Sequence, residues 1–162
     1  MRYNLELINS IKEILVKRQQ TLAVAESVTA GHIQAAFSAA TEASFFFQGG
    51  ITVYNAGQKT RHLGVEPIHA MKDDCVSEEV ANQMAISVNN LFVSHYGIAI
   101  TGYATAVPEK DIMELSAFFS IADGNKIILS RKIESALTNS IEVQIDYTNQ
   151  VVESFFGILS LK

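Results

Sequence analysis

Three residues of ordinary type stand where they could do acyl chemistry together. Ser27 follows the apolar run Thr21-Leu22-Ala23-Val24-Ala25, while Tyr54 ends a second strand-like run and Lys59 lies five residues on in a helix-like segment. A serine hydroxyl is a weak nucleophile unless a base takes its proton, and a lysine becomes that base when burial lowers its pKa. Ser27, Tyr54 and Lys59 would then form a base-assisted acyl-transfer group. Spacing alone also allows a plainer arrangement, with Ser27 capping the helix after it, Tyr54 in the core and Lys59 in solvent.

The elements that must position these residues can be read from periodicity. Leu5, Ile8, Ile11 and Leu15 recur at helical steps and predict a helix over 4–19. Residues 21–25 are apolar on both faces, as a central strand covered by helices would be. Residues 26–30 then form a strand-to-helix junction, with Ile33, Ala36 and Phe37 keeping helical spacing to about position 40. A strand over 49–54, a short helix over 56–63 closed by Gly64, and a helix capped by Ser77 and running to about 95 follow. Residues 98–101 read as another buried strand, 115–122 and 126–133 as a hairpin around Asp123-Gly124-Asn125, and 137–159 as one face of a long final helix. Helices before, between and after the strands predict an α/β fold, a three-layer α/β/α sandwich on a mixed sheet. The strands over 22–25 and 98–101 are expected side by side, so that Ser27, Thr29, Ala30, Gly31, Thr101 and Gly102 border one pocket at their carboxyl ends. Lys59 is expected within hydrogen-bond reach of Ser27, directly or through one water.

Composition narrows the partners. The 162 residues suit one domain, and the formal charge of −5, with 17 acidic against 12 basic residues, disfavours nucleic acid. No apolar run approaches the roughly 20 residues of a membrane span, and no signal-peptide core is present. Cys75 is the single cysteine, which points to a reducing compartment and the cytoplasm. It precedes a helix start but has no histidine at a recognisable spacing, so a small buried residue is the simpler reading. His32, His62, His69 and His95 lack metal-ligand spacing, and no metal or cofactor is expected. Phe45, Phe46 and Phe47 are consecutive and cannot share a face; they belong to the core or to a homo-oligomer contact.

Several blocks in order carry a family resemblance. They are Ala25-Glu26-Ser27-Val28-Thr29-Ala30-Gly31, Gly49-Gly50 through Tyr54 and Lys59 to Leu63-Gly64-Val65, Val76-Ser77-Glu78-Glu79-Val80-Ala81, Thr101-Gly102-Tyr103-Ala104 and Pro108-Glu109-Lys110. The stretch from Leu22 to about Gly124 thereby resembles the CinA C-terminal domain family, the nicotinamide mononucleotide amidohydrolases. The resemblance implies hydrolysis of a carboxamide to acid and ammonia without a metal, with Ser27 as nucleophile, Lys59 as proton acceptor and donor, and Tyr54 orienting or relaying. It also implies a small-molecule partner, nicotinamide mononucleotide or a related amide. Backbone N–H groups around Thr29 to Gly31 would hold either the oxyanion or the ligand's phosphate. The family often carries this domain behind a larger one, so a stand-alone form is expected.

The departures from the family pattern point to altered substrate placement. Val28 replaces a cysteine, and Ala30 replaces a glycine and is expected to narrow the site; residues 103–107 replace a small glycine-rich stretch and Met113 a later glycine. Asn139, Ser140 and Glu142 occupy an arginine-rich region at the start of the last helix, removing a phosphate partner. Weak or absent activity on the mononucleotide is therefore expected. A catalytically silent ligand-binding or regulatory domain stands as the alternative, and a purely structural oligomerisation module as a third.

Overall fold

The asymmetry of one sheet explains the layering. In the computed structural model, which describes residues 2–72 and 74–161, strands β1 (Leu22–Glu26), β2 (Phe47–Thr52), β3 (Tyr96–Gly102), β4 (Ser116–Asp123) and β5 (Lys126–Glu134) lie in the order β2-β1-β3-β4-β5. Strands β1, β2 and β3 are parallel, β4 runs antiparallel to β3 and β5 antiparallel to β4, so the sheet is mixed. Alternate residues of a strand point to opposite faces. On one face β1 and β3 present Leu22, Val24, Tyr96, Ile98 and Ile100; on the other they present Ala23, Ala25, Gly97 and Ala99.

The bulky face is covered by α1 (Leu5–Lys17), α2 (His32–Ser38) and α6 (Ser140–Ser160), which bury Ile8, Ile11, Leu15, Phe37, Tyr147 and Phe155 against it. Asn4 starts α1 by accepting from the Leu7 N–H at 3.2 Å, and Asn139 starts α6 by accepting from the Ile141 and Glu142 N–H groups. The small face lets a helix come closer. There α3 (Ala56–Leu63), α4 (Pro67–Lys72) and α5 (Glu78–Phe92) pack, with Met84, Ala85 and Val88 of α5 against the alanines. A Cβ placed on Gly97 would meet the Ala85 carbonyl oxygen at 2.1 Å, so backbone approaches backbone at this point.

The three-layer mixed α/β architecture agrees with the sequence reading, and β1 and β3 are neighbours in parallel register, Leu22 opposite Tyr96 and Glu26 opposite Ile100. The junction expected after β1 is a turn over 27–31 that leads into α2 at His32; β2 runs over Phe47–Thr52 rather than 49–54, and the short helix α4, which carries no apolar periodicity that would announce it, is an addition to the sequence reading. Of the three consecutive phenylalanines, Phe46 is fully buried edge-on to Phe37, Phe47 is half-buried and Phe45 is 64% exposed. Among the described residues no helix is long and apolar enough to cross a membrane.

The close approach at Gly97 makes a definite demand. Gly97→Ala should destabilise the fold by about 1–3 kcal/mol, the usual range for an overpacked core, measured by urea denaturation. An unchanged midpoint would mean that α5 moves away from β3 at no cost.

Candidate active site

Burial of a lysine organises the site. Asn55 accepts from the Gln58 N–H at 3.0 Å and so starts α3, which places Lys59 on the helix's second turn facing inward. Lys59 is only 1% exposed. Its Nζ donates to the Val53 carbonyl at 3.1 Å and lies 2.8 Å from Ser27 Oγ. A buried ammonium lacks water, so desolvation lowers the Lys59 pKa below its ordinary 10.5; the neighbouring Cys75 and Asp74 pull it back only in part. When Lys59 is neutral, its lone pair can accept the Ser27 Oγ proton.

Ser27 is fixed from behind. Its N–H donates to the Ile100 carbonyl of β3 at 3.1 Å, tying the end of β1 to the neighbouring strand. The side chain of Glu26, fully buried, turns back under the loop and accepts four hydrogen bonds: from Thr29 Oγ1 at 2.6 Å and from the N–H groups of Gly31, Ile33 and Gln34 at 2.8–3.1 Å. A carboxylate thus caps α2 from five or more residues upstream, complementing the positive end of the helix dipole.

A cavity of about 520 Å³ opens over Ser27 and Lys59. Val28, Tyr54, Thr101, Gly102 and the 103–107 loop line it, together with Asp74 and Cys75, and Ser140 and Gln144 of α6. Tyr54 stands at the mouth, 70% exposed. Thr101 is buried and donates to the Cys75 carbonyl at 2.7 Å, so its hydroxyl fixes the loop after α4. A larger groove of about 650 Å³ runs past Met113, Leu115, Glu134 and Leu137 but contains no buried nucleophile.

The structure therefore brings together Ser27, Tyr54, Lys59, Thr101 and Gly102 and leaves Thr29, Ala30 and Gly31 outside the cavity lining. The physical reason is the Glu26 carboxylate, which takes the Thr29 hydroxyl and the Gly31 N–H, while the Ala30 N–H donates to the Ser27 carbonyl at 3.1 Å. Among the described residues the N–H groups left without an acceptor beside Ser27 are those of Val28 and Thr29. Ala30 does not narrow the site as expected. It is exposed, and the turn instead holds this L-residue in the left-handed region at φ +49°, where its methyl is disfavoured.

Sequence reasoning passed over the roles of Glu26 and Asp74. Glu26 reads simply as the end of an apolar run. Asp74 accepts from Lys110 Nζ and, at 3.1 Å, from Tyr103 Oη, joining the loop before α5 to the rewritten 103–107 segment. The Lys110 contact holds the Asp74 carboxyl below its ordinary range, and burial, aided by Asp74, pushes Tyr103 up to about 12. Burial raises the Cys75 thiol, whose Sγ donates to the Ala70 carbonyl. The histidines have local partners: His32 with Tyr3, His62 with Gln58, His69 with Gln83 and Glu79, and His95 with Thr21.

Two stability effects follow. Glu26→Gln places an amide N–H₂ among N–H donors, and loss of one buried acceptor should cost about 1–3 kcal/mol and lower the melting temperature; an unchanged melting temperature would show that the carboxylate does not hold the loop. Ala30→Gly removes left-handed strain at an exposed position and should stabilise by about 0.5–1 kcal/mol, read in the same melts; a loss of stability would contradict the strain.

Comparison with known proteins bears on the family and the fold. Residues 4–136 match the CinA C-terminal domain family. Protein MG115 of Mycoplasma genitalium is 35% identical over 154 residues, covering 94% of this chain and 96% of that protein. A CinA-like protein of Picosynechococcus is 43% identical over 94 residues, 58% of this chain and 22% of its own length, and the chain likewise spans about a quarter of the CinA-like protein of Thermosynechococcus vestitus, at 24%. Among solved structures, a CinA superfamily protein from Enterobacter cloacae superposes with a TM-score of 0.90 at 24% identity, covering 98% of this chain and 94% of that one. One from Klebsiella pneumoniae gives 0.92 at 21%, covering 99% and 100%. At such identities these two speak for the fold alone; with the match over residues 4–136 and the relative aligned along nearly its whole length, the chain belongs to the CinA C-terminal domain family.

Proposed function

We propose that this domain is an amidohydrolase that releases ammonia from a small carboxamide, with Ser27 as nucleophile and Lys59 as base. The observation that carries the reading is the 2.8 Å contact between a serine hydroxyl and a buried lysine whose pKa is lowered, at the wall of a cavity. Neutral Lys59 takes the Ser27 proton as Oγ attacks the amide carbon. The charge that develops on the amide oxygen meets the Val28 N–H, the first free donor after the nucleophile. Lys59 returns the proton to the amine nitrogen, the C–N bond breaks and ammonia leaves an ester on Ser27. Water, deprotonated by Lys59, then attacks the ester and restores the hydroxyl. Tyr54, at the mouth, orients the substrate or relays the proton. The same proposal sets the protein in the cytoplasm as a homo-oligomer, in keeping with its single cysteine and with the exposed Phe45, Ile68 and Met71.

Ammonia release by purified protein tests this. Ser27→Ala and Lys59→Met should each lower kcat/KM by at least about 100-fold, and Lys59→Arg should fail as well, since a guanidinium does not surrender its proton. Only the neutral amine works as base, so kcat/KM should rise with pH to a midpoint below 10.5. Stability follows the same sign: the folded state carries the cost of a buried ammonium at low pH, and this cost is relieved as pH rises through the lowered pKa toward 10.5. Full activity in Ser27→Ala would exclude this serine as nucleophile, and silence of the native protein toward riboside, mononucleotide and simple amides alike would favour a ligand-binding domain without turnover.

A further inference from the structure

Segments far apart in the chain build the cavity wall, and one carboxylate joins two of them. Tyr103, Ala104, Thr105 and Val107 line the cavity from the loop after β3, and Asp74, Cys75 and Val76 line it from the loop before α5. Asp74 Oδ2 accepts from Tyr103 Oη at 3.1 Å and from Lys110 Nζ, so a single oxygen holds two points of the loop after β3.

That loop has little else to hold it. At its base the Tyr103 N–H donates to the Ser116 carbonyl at 2.9 Å, Tyr147 Oη donates to the Tyr103 carbonyl at 3.0 Å, and Ala104 packs on the core. Farther out it bonds to itself. Val107 and Ile112 exchange backbone hydrogen bonds at 2.8 and 3.2 Å, and the Lys110 and Asp111 N–H groups return to the Val107 and Pro108 carbonyls. Among the described contacts of residues 105–112, the Lys110–Asp74 pair is the one hydrogen bond or ion pair that reaches another element. A segment with so few contacts opens locally at low cost unless a tie holds it.

The other side of the tie is anchored. Asp74 and Cys75 are consecutive L-residues with φ of +50° and +65°, a left-handed pair that persists only where its surroundings fix it. Here the Cys75 N–H and Sγ both donate to the Ala70 carbonyl, at 2.8 and 3.1 Å, and the Cys75 carbonyl accepts from Thr101 Oγ1 at 2.7 Å. The carboxylate is thus presented from a held backbone, and the loop is the side that can move.

We propose that Asp74 is a positioning residue that limits the size of molecule the cavity admits: by holding Tyr103 and Lys110 it clasps the 103–112 loop against the segment before α5, and its release widens the mouth. That the admitted molecule is a carboxamide rests on the amidohydrolase reading; the clasp rests on the contacts of Asp74.

Cys75 offers a readout that needs no substrate, because it is the single cysteine, lines the cavity beside Asp74 and is only 5% exposed. Its reaction with dithiodipyridine, an uncharged reagent with two rings, is compared with that of the smaller methyl methanethiosulfonate, each relative to a free thiol. Asp74→Asn removes the charge and keeps a residue type that tolerates left-handed backbone. This variant and Lys110→Met should each speed labelling by the larger reagent about three- to fivefold, the worth of one exposed ion pair, and change the smaller reagent's rate less; Lys110→Arg should stay near native. Both partners are about half exposed, so raising salt from about 0.05 to about 0.5 M should speed the larger reagent on native protein and leave Asp74→Asn unchanged. Unchanged labelling in both variants, an equal salt effect with and without the Asp74 charge, or acceleration of both reagents alike with a lowered urea midpoint, the mark of global opening, would each overturn the clasp. Labelling proceeds without turnover, so a native protein silent toward every amide removes the amidohydrolase reading and leaves the size limit standing.

Discussion

Placing a lysine amine out of water beside a serine hydroxyl constrains much of the surrounding chain. Water must be kept away from Lys59 Nζ, and the carbonyl of Val53 must replace it as acceptor, so the end of β2 and the first turns of α3 have fixed relative positions. Ser27 must sit at the end of β1 opposite that amine, which requires β1 to lie between β2 and β3. The parallel order β2-β1-β3 therefore brings Val53, Ser27 and Thr101 to one edge of the sheet, where ligands of open α/β sheets generally bind.

A second constraint supports the first. The loop carrying Ser27 turns sharply between a buried strand and a helix, and its N–H groups need acceptors away from bulk water. Glu26 supplies them from inside the same loop, with four hydrogen bonds to one carboxylate. The arrangement ties down the loop that carries Ser27 and engages the Thr29 hydroxyl and the Gly31 N–H. Neighbouring residues thus divide the work: Ser27 and Thr101 line the cavity, and the carboxylate at 26 holds the loop.

Much of this was legible in the sequence because it depends on local pattern. The apolar run before Ser27, the bounds of α3, the Ser77 cap of α5 and the Asp123-Gly124 hairpin all follow from nearest-neighbour chemistry. The pairing of Ser27 with Lys59 came from residue type and family resemblance together, since spacing alone left Lys59 free to face solvent. What stayed hidden depends on contacts across the chain. Asp74 meets Tyr103 and Lys110 across 29 and 36 residues, and no local rule announces such a pairing. Glu26 was hidden for a different reason: a carboxylate inside an apolar segment ordinarily marks its end, and only the folded loop shows that it is buried and satisfied. Ala30 was misjudged because a glycine replaced by alanine suggests a tighter pocket, whereas the residue lies outside the lining and the cost falls on the backbone.

The account turns on the protonation of one amine. Selective ¹³C labelling of lysine Cε, with Lys59→Met used to assign the resonance, would follow that amine through a pH titration. The account predicts a Lys59 midpoint clearly below 10.5, moving when Ser27 is replaced by alanine while the other lysines stay in place. A Lys59 resonance that titrates with the exposed lysines at or above 10.5, indifferent to Ser27, would contradict it.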